Sequence, residues 1–440
     1  MTAVDHPAQR PGAPEPPPRR VPFPVVDEVS RHCLQEDEPE TVHIEVHLPG
    51  RPDRRRLEEA FHEALRRHPR VLVREAPRRW YARRYEWELT GNPDVTVVSF
   101  PEPGPDARQA ARARALASAP PLAASPPVRL ECVDDPGDGG GCVLFLVVNH
   151  TALDGPACLR VLATAAELYG GVDNAPAAPP VRRTDSPGQP AALPSGFARP
   201  ARIAGGAPRS SGGRPDPGNG MLVAELPVPH RPEGAPYTVN DQLMVATTLM
   251  IAAWNREHGG PRRPMRITMP VDDRPRDASM PIGNGTRLVE VPFAAEEVDP
   301  DRLGELLRLT ATRTRALKAA QRPQLGHGAA LLTSPVVPVA ARAALTRALR
   351  AAAGPWTSTT LLSNIGRIPY AMDFGDAGRA SAVWFSAPAR VPRGLTVTTA
   401  STAGRLHLAL RWSRTLLGPD DGARLRDLFE QYLHATEDPR

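Results

Sequence analysis

Apolar and polar positions follow two rhythms along this chain, and together they place most of its elements. Thr41 to Leu48 (TVHIEVHL) alternates with period two, which predicts a half-buried strand. Residues 143–148 form an unbroken apolar run between Cys142 and Asn149, which predicts a fully buried strand. With Val128 to Val133 it predicts a hairpin around the Gly-rich turn 134–141. Helical rhythm governs Asp53 to His68, where Leu57, Ala60, Phe61, Ala64 and Leu65 make one apolar stripe. Asp53 supplies an N-cap there and Pro69 a stop. A second helix opens at Asp154-Gly155-Pro156, runs to Tyr169 and ends at Gly170-Gly171.

Residues 172–219 break both rhythms. They are dense in Pro, Ala, Gly, Ser and Arg, carry almost no large apolar side chain, and read as a linker. The first 20 residues hold too little apolar surface to fold and read as a disordered Pro-rich tail. The chain thus divides into a first half over 21–171 and a second half over 220–440. In the second half, Met221 to Leu226 reads as a strand, and Thr238 to His258 is apolar nearly all round, the mark of a buried helix. Strands are expected at 265–270, 287–293, 358–363, 381–386, 394–401 and 404–412, and helices at 299–320, 335–353 and 419–435. Strands and helices mix without strict alternation, so the fold class is α+β, two sandwiches rather than one doubly wound sheet.

Composition alters this picture little. The formal charge of +5 comes almost wholly from arginine, with Lys318 the one lysine, and the basic residues are scattered apart from 51–56 and 78–84. Nucleic acid is therefore not an expected partner. Cys33, Cys132, Cys142 and Cys158 show no metal-ligand spacing with histidine, although Cys132 and Cys142 could face each other across the hairpin. Reduced core thiols in a cytoplasmic protein fit them best. No apolar run reaches the length of a membrane span, and no signal-type segment is visible.

Candidate chemistry concentrates where the buried strand ends. Asn149-His150-Thr-Ala-Leu-Asp154-Gly155 places an imidazole on a rigid strand terminus, as a general base requires. The alternative is a histidine merely satisfied at a strand end. Asp154 stands at a helix start, where a carboxylate caps free N–H groups and meets the positive end of the dipole.

These residues, with others in the same order, resemble the condensation-domain superfamily, whose signature is HHxxxDG. That superfamily includes nonribosomal peptide condensation domains, plant-type acyl-CoA transferases, wax ester synthases and mycobacterial polyketide-associated acyltransferases. Arg67-His68-Pro69 resembles the end of its first helix, and Thr238-Val-Asn240-Asp241 the start of its core helix. Met269-Pro-Val-Asp-Asp273-Arg274-Pro275 with Ile282-Gly283-Asn284 resembles its PVxxR and GN pair. Ser363-Asn364-Ile-Gly366-Arg367 resembles the SNxG loop of CoA-dependent members, and the likeness spans residues 21–435.

The resemblance implies a pseudo-dimer of two chloramphenicol-acetyltransferase-like halves, with a tunnel between them. It implies acyl transfer from acyl-CoA or an acyl-carrier protein to a hydroxyl or amine, in secondary metabolism. No metal, bound cofactor or covalent acyl-enzyme is implied, and a monomer is expected. His150 would be the base, or would orient the nucleophile. Asp154 would pair with Arg274 as a brace rather than relay charge, and Gly155 would keep the tunnel open. Asn149 departs from the family's usual histidine and would play a supporting part. Ser363 and Asn364 would donate to the thioester carbonyl or pantetheine amide, or else form a polar turn. Asn240 would contact the site or serve as an N-cap. Asp373-Phe374-Gly375-Asp376 is a weak match to a plant-type segment, since it lacks the tryptophan. The run from Arg78 to Trp87 fits a strand edge, and the arginines at 51–56 or 78–84 could meet a carrier protein or CoA phosphates. The reading from another class is a non-catalytic recruitment domain. Such domains commonly lose the histidine, whereas His150 and Asp154 are both present.

Overall fold

Every residue of the strand Gly141–Asn149 is buried, as the apolar run demands. The computed structural model describes residues 19–135, 140–172, 198–206, 217–277, 279–320 and 333–439. In it this strand is the middle of a five-stranded sheet ordered Ala382–Ser386, Thr41–Leu48, Gly141–Asn149, Val128–Asp135, Val98–Ser99. Neighbours are antiparallel except Val98–Ser99, which runs parallel to Val128–Asp135. The expected hairpin pairs Val128 with Val148 and Asp135 with Gly141. Cys132 lies opposite Leu144 and Cys142 opposite Asp134, so the two thiols are diagonal neighbours. All four cysteines are free.

The period-two strand sorts its side chains by face. Val42, Ile44, Val46 and Leu48 enter a core with the helices Arg54–Arg67 and Gly155–Tyr169. The helix Arg54–Arg67 buries the stripe expected of it, and each large apolar side chain there contributes roughly 1.5–3 kcal/mol. Its Asp53 cap accepts from the Arg56 N–H at 2.8 Å. On the opposite face Glu45 accepts from Arg112 Nε and Nη2 at 2.6 and 2.7 Å, and His43 stacks on Phe145.

The second sheet has six strands, ordered Arg287–Phe293, Met265–Val271, Thr360–Arg367, Leu395–Thr402, Arg405–Ser413, Asn219–Pro227. Thr360–Arg367 runs parallel to both neighbours, and the other pairs are antiparallel. The helices Val239–Glu257, Leu303–Ala319 and Pro419–Ala435 pack with this sheet into a second core. The strand Ala382–Ser386 comes late in the chain yet pairs with Thr41–Leu48 in the first sheet. The two halves are therefore stitched together.

Most of the expected tail (1–18) and linker (173–197 and 207–216) lies outside the described residues. Within the linker range, residues 198–206 pack against the second half. Ala201 and Ile203 are buried in its core, and Asn255 accepts from the Ala204 N–H at 2.8 Å. The expected strand edge at 78–87 differs too. Glu86–Leu89 is the middle strand of a three-stranded sheet, between Arg20–Pro22 and Val73–Glu75. Tyr85 and Trp87 are buried, while Trp80 lies outside the strand and is 84% exposed. Among the described residues no helix is long and apolar enough to cross a membrane, and no cluster of His, Cys, Asp or Glu could hold a metal ion.

Candidate active site

At the end of Gly141–Asn149 a five-residue turn, 150–154, carries the chain into the helix Gly155–Tyr169. Asn149 shapes that turn. Its Nδ2 donates to the Pro120 carbonyl at 3.0 Å, and its Oδ1 accepts from the Thr151 N–H at 3.1 Å. Both ends of this buried amide are thereby committed, and the residue is not among those lining the adjacent cavity.

His150 points the other way. Its backbone N–H donates to the Glu40 carbonyl at 2.8 Å, and its Nδ1 lies 3.0 Å from the Leu153 carbonyl. A carbonyl oxygen can only accept, so Nδ1 carries the proton and Nε2 keeps its lone pair. The ring lines a cavity of about 390 Å³ between the halves. Val29 and Val42 of the first half, Leu361 and Ser363 of the second, and Phe385 of the shared strand line it as well.

Asp154 is tied into the second half instead. Oδ1 caps the helix by accepting from the Ala157 N–H at 3.1 Å. Oδ2 accepts from the Gly285 and Thr286 N–H groups at 2.8 and 3.1 Å. Arg274 Nη2 reaches both oxygens, at 2.8 and 2.7 Å. The same guanidinium holds Asp272 at 2.8 Å and the Gly283 carbonyl at 3.0 Å. Burial by itself would lower the Arg274 guanidinium. The Asp272 hydrogen bond and the Asp154 charge outweigh it and hold the group above its ordinary value. Three N–H donors and a cation satisfy the buried carboxylate.

Three residues around this turn, Asp27, Asn284 and Gly285, were not among the expected site residues. Asp27, in the helix Val25–His32, accepts from Trp87 Nε1 at 2.8 Å and from Asn284 Nδ2 at 2.9 Å. Asn284 also donates to the Thr151 carbonyl at 2.8 Å, which makes the turn a meeting point of three segments. Burial raises the Asp27 carboxyl to about 6, against the lowering effect of its hydrogen bonds. Gly285 is the third: an added Cβ would fall 2.4 Å from Arg274 Nε, so only glycine lets the guanidinium lie flat there. Asn284 stands in the GN pair and was within reach of the sequence. Asp27 and Gly285 were not.

The remaining candidates separate. Ser363 lines the cavity; Asn364 and Asn240 do not. Asn364 Nδ2 donates to Asn240 Oδ1 at 3.3 Å, and its Oδ1 accepts from the Gly366 N–H at 2.8 Å and from Thr399 Oγ1 at 3.1 Å. Its donor and acceptor are thus both engaged inside the second half. Asn240 is not the N-cap. Thr238 occupies that position, with its N–H donating to Asp241 at 2.8 Å, while Asn240 Nδ2 turns to Met269 Sδ. Gly155 borders the cavity, but an added Cβ would meet the Phe385 ring at 3.9 Å, an ordinary contact. Steric need alone therefore does not require glycine there. Phe374 packs against Tyr169, which makes the 373–376 segment part of the first core.

This architecture is the condensation-domain, chloramphenicol-acetyltransferase-like fold. It resembles the condensation domain of the monacolin K polyketide synthase MokA, with a TM-score of 0.64 at 14% identity over 96% of this chain and 98% of that one. It also resembles a starter condensation domain of rhizomide synthetase RzmA, solved with C8-CoA, with a TM-score of 0.63 at 13% identity over 93% of each chain. TRI3, the trichothecene 15-O-acetyltransferase of Fusarium sporotrichioides, gives a TM-score of 0.60 at 10% identity over 95% of each chain. In sequence, the uncharacterized protein Rv2305 of Mycobacterium tuberculosis is 29% identical over 420 residues, 89% of this chain and 94% of that protein. No family model matches the chain.

Proposed function

We propose that this protein is an acyltransferase that moves an acyl group from a thioester, on CoA or a carrier protein, to a hydroxyl or amine. The observation that carries the reading is the His150 ring. Its Nδ1–H is held by the Leu153 carbonyl, and its Nε2 lone pair remains for a reactant in the cavity. In the reaction Nε2 accepts the proton of the hydroxyl or amine as that atom attacks the thioester carbonyl. When the carbon–sulfur bond breaks, the proton passes to the departing thiolate. Such proton transfer contributes about 10²–10⁴-fold, and the remainder comes from holding the two reactants together. Asp154 and Arg274 take no proton in this scheme; they hold the turn on which His150 sits. Two likenesses support the reading: one neighbour is an O-acetyltransferase by name, and another was solved with an acyl-CoA.

The test is intact-mass and product analysis after incubation with a panel of acyl-CoAs and acyl-carrier proteins plus hydroxyl and amine acceptors. We expect turnover by the wild type and its loss in His150→Ala at an unchanged melting temperature. No consumption of any thioester, or undiminished turnover by His150→Ala, would refute the assignment.

A further inference from the structure

The wall of the His150 cavity carries three arginines, Arg350, Arg390 and Arg393, and they are not equally employed. Arg390 pairs with Glu40 and donates to the Cys33 carbonyl at 2.7 Å. Arg393 has its Nε and Nη2 fixed by two neutral hydroxyls, Ser358 Oγ at 2.8 Å and Thr268 Oγ1 at 3.2 Å. These bonds set the plane of the guanidinium and neutralise none of its charge. The acidic groups whose charge reaches Arg393 are Glu290 and Glu40. The first faces Arg266 at 3.5 Å and the second is held by Arg390. Arg350, in the last turn of the helix Val339–Ala353, makes no hydrogen bond or ion pair with the described residues.

Two half-buried guanidiniums thus face one chamber without a carboxylate of their own. Burying a cation unpaired is costly, and a protein retains such an arrangement where something else supplies the counter-charge. Crowding by apolar walls and by the other arginines pulls the Arg393 guanidinium down to about 10, which still leaves it charged at neutral pH. The planar fork of arginine matches a carboxylate or a phosphate. The rest of the lining includes Val26, Val29, Val42 and Leu361, which suits an alkyl chain.

We propose that Arg350 and Arg393 form a subsite for the anionic head, carboxylate or phosphate, of a compact amphiphilic substrate that shares the chamber with His150. The subsite's role in catalysis rests on the acyltransferase reading; the binding itself does not. Because the anion would lie in the same chamber as the base, it belongs to the small reactant rather than to the far end of a pantetheine arm. On this view the protein acylates, or takes its acyl group from, a molecule that already bears a negative charge.

The test is calorimetric titration of the intact chain with octanoate, monooctyl phosphate and octanamide, each below its micelle concentration. At least one anion is expected to bind about tenfold or more tightly than the neutral amide, and the tighter anion identifies the head group. Arg350→Gln/Arg393→Gln should remove that advantage while leaving octanamide affinity unchanged. If the double variant does not fold, Arg350→Gln alone should still reduce the advantage several-fold, since its guanidinium holds no partner. Equal affinity for all three probes, or an advantage that survives both substitutions, overturns the subsite. His150→Ala should bind the anions as the wild type does, so a failure of the general-base assignment is read separately from a failure of this one.

Discussion

Two polar segments stood out along the chain, 149–155 and 363–366, and the structure treats them in opposite ways. In the second, Asn364 spends its donor on Asn240 and its acceptor on Gly366 and Thr399. In the first, Asn149 and Asp154 are equally committed, yet they surround a histidine whose Nε2 has no protein partner among the described residues. A polar residue with every hydrogen bond made inside the protein is scaffold. One whose neighbours are satisfied on its behalf is free to meet a ligand.

The sharpest way to break this contrast is His150→Ala. Transfer should fall by about 10²–10⁴-fold while the denaturation midpoint stays put, as followed by product formation beside urea unfolding. Asp154→Ala should act in the reverse order. It takes one of two carboxylate partners from Arg274 and leaves three backbone N–H groups without their acceptor, so stability should fall by about 3–5 kcal/mol in chemical denaturation. Arg274→Met in the Asp154→Ala background should then add little, and full additivity would deny the pair its bracing role. A smaller effect is expected of Asn364→Ala, about 1–3 kcal/mol of stability, with turnover per folded molecule changed less than by Ser363→Ala. If Asn364→Ala instead abolished turnover in a stable protein, the distinction between scaffold and site would collapse. Gly155→Ala should change least, because the added methyl meets Phe385 at an ordinary distance.

Acid provides a test that does not depend on turnover. Burial lowers His32, His43 and His68 from 6.5 to about 4. Between those values the unfolded chain takes up protons that the folded chain refuses, so stability falls as pH drops from about 6.5 towards 4. Asp27, raised from 3.8 to about 6, works the other way over an overlapping range, since the folded state holds its proton more tightly. Burial also lowers His407, which acts with the three histidines, and raises Glu28, which acts with Asp27. Four histidines against two carboxyls predict a net loss, measurable as a lower urea midpoint at pH 5 than at pH 7. In Asp27→Asn, which cannot titrate, the loss should steepen.

Where apolar and polar side chains sort to opposite faces of an element, the fold was legible, even in Thr41–Leu48, whose polar face is buried against Arg112 and Phe145 rather than wet. The strand Thr41–Leu48, the helix Arg54–Arg67 and nearly every strand of the second sheet fall where the periodicity puts them. Val25–His32 was hidden because it inverts the rule. It buries Asp27, Glu28 and His32, so its core-facing side looks like a solvated one in sequence. Ala107–Ala117 was hidden for a related reason: its arginines face sheet carboxylates, with Arg112 on Glu45 and Arg114 on Glu131. Of the site, His150, Asp154 and the pairing with Arg274 could be reached from the motif and its resemblance. The arginines at 350 and 393 could not. They lie among many others in an arginine-rich chain, and only the distribution of carboxylates around them sets them apart.

The strand Ala382–Ser386 has a consequence for how this molecule can be cut and assembled. Because the late part of the chain completes the sheet that the early part begins, residues 1–171 made alone would present the long edge of Thr41–Leu48 to any passing strand. A protease nick between 173 and 197 should leave two fragments that stay together under native conditions and separate only on denaturation. Each would be the missing piece of the other's fold, because the first sheet draws its strands from both sides of the cut.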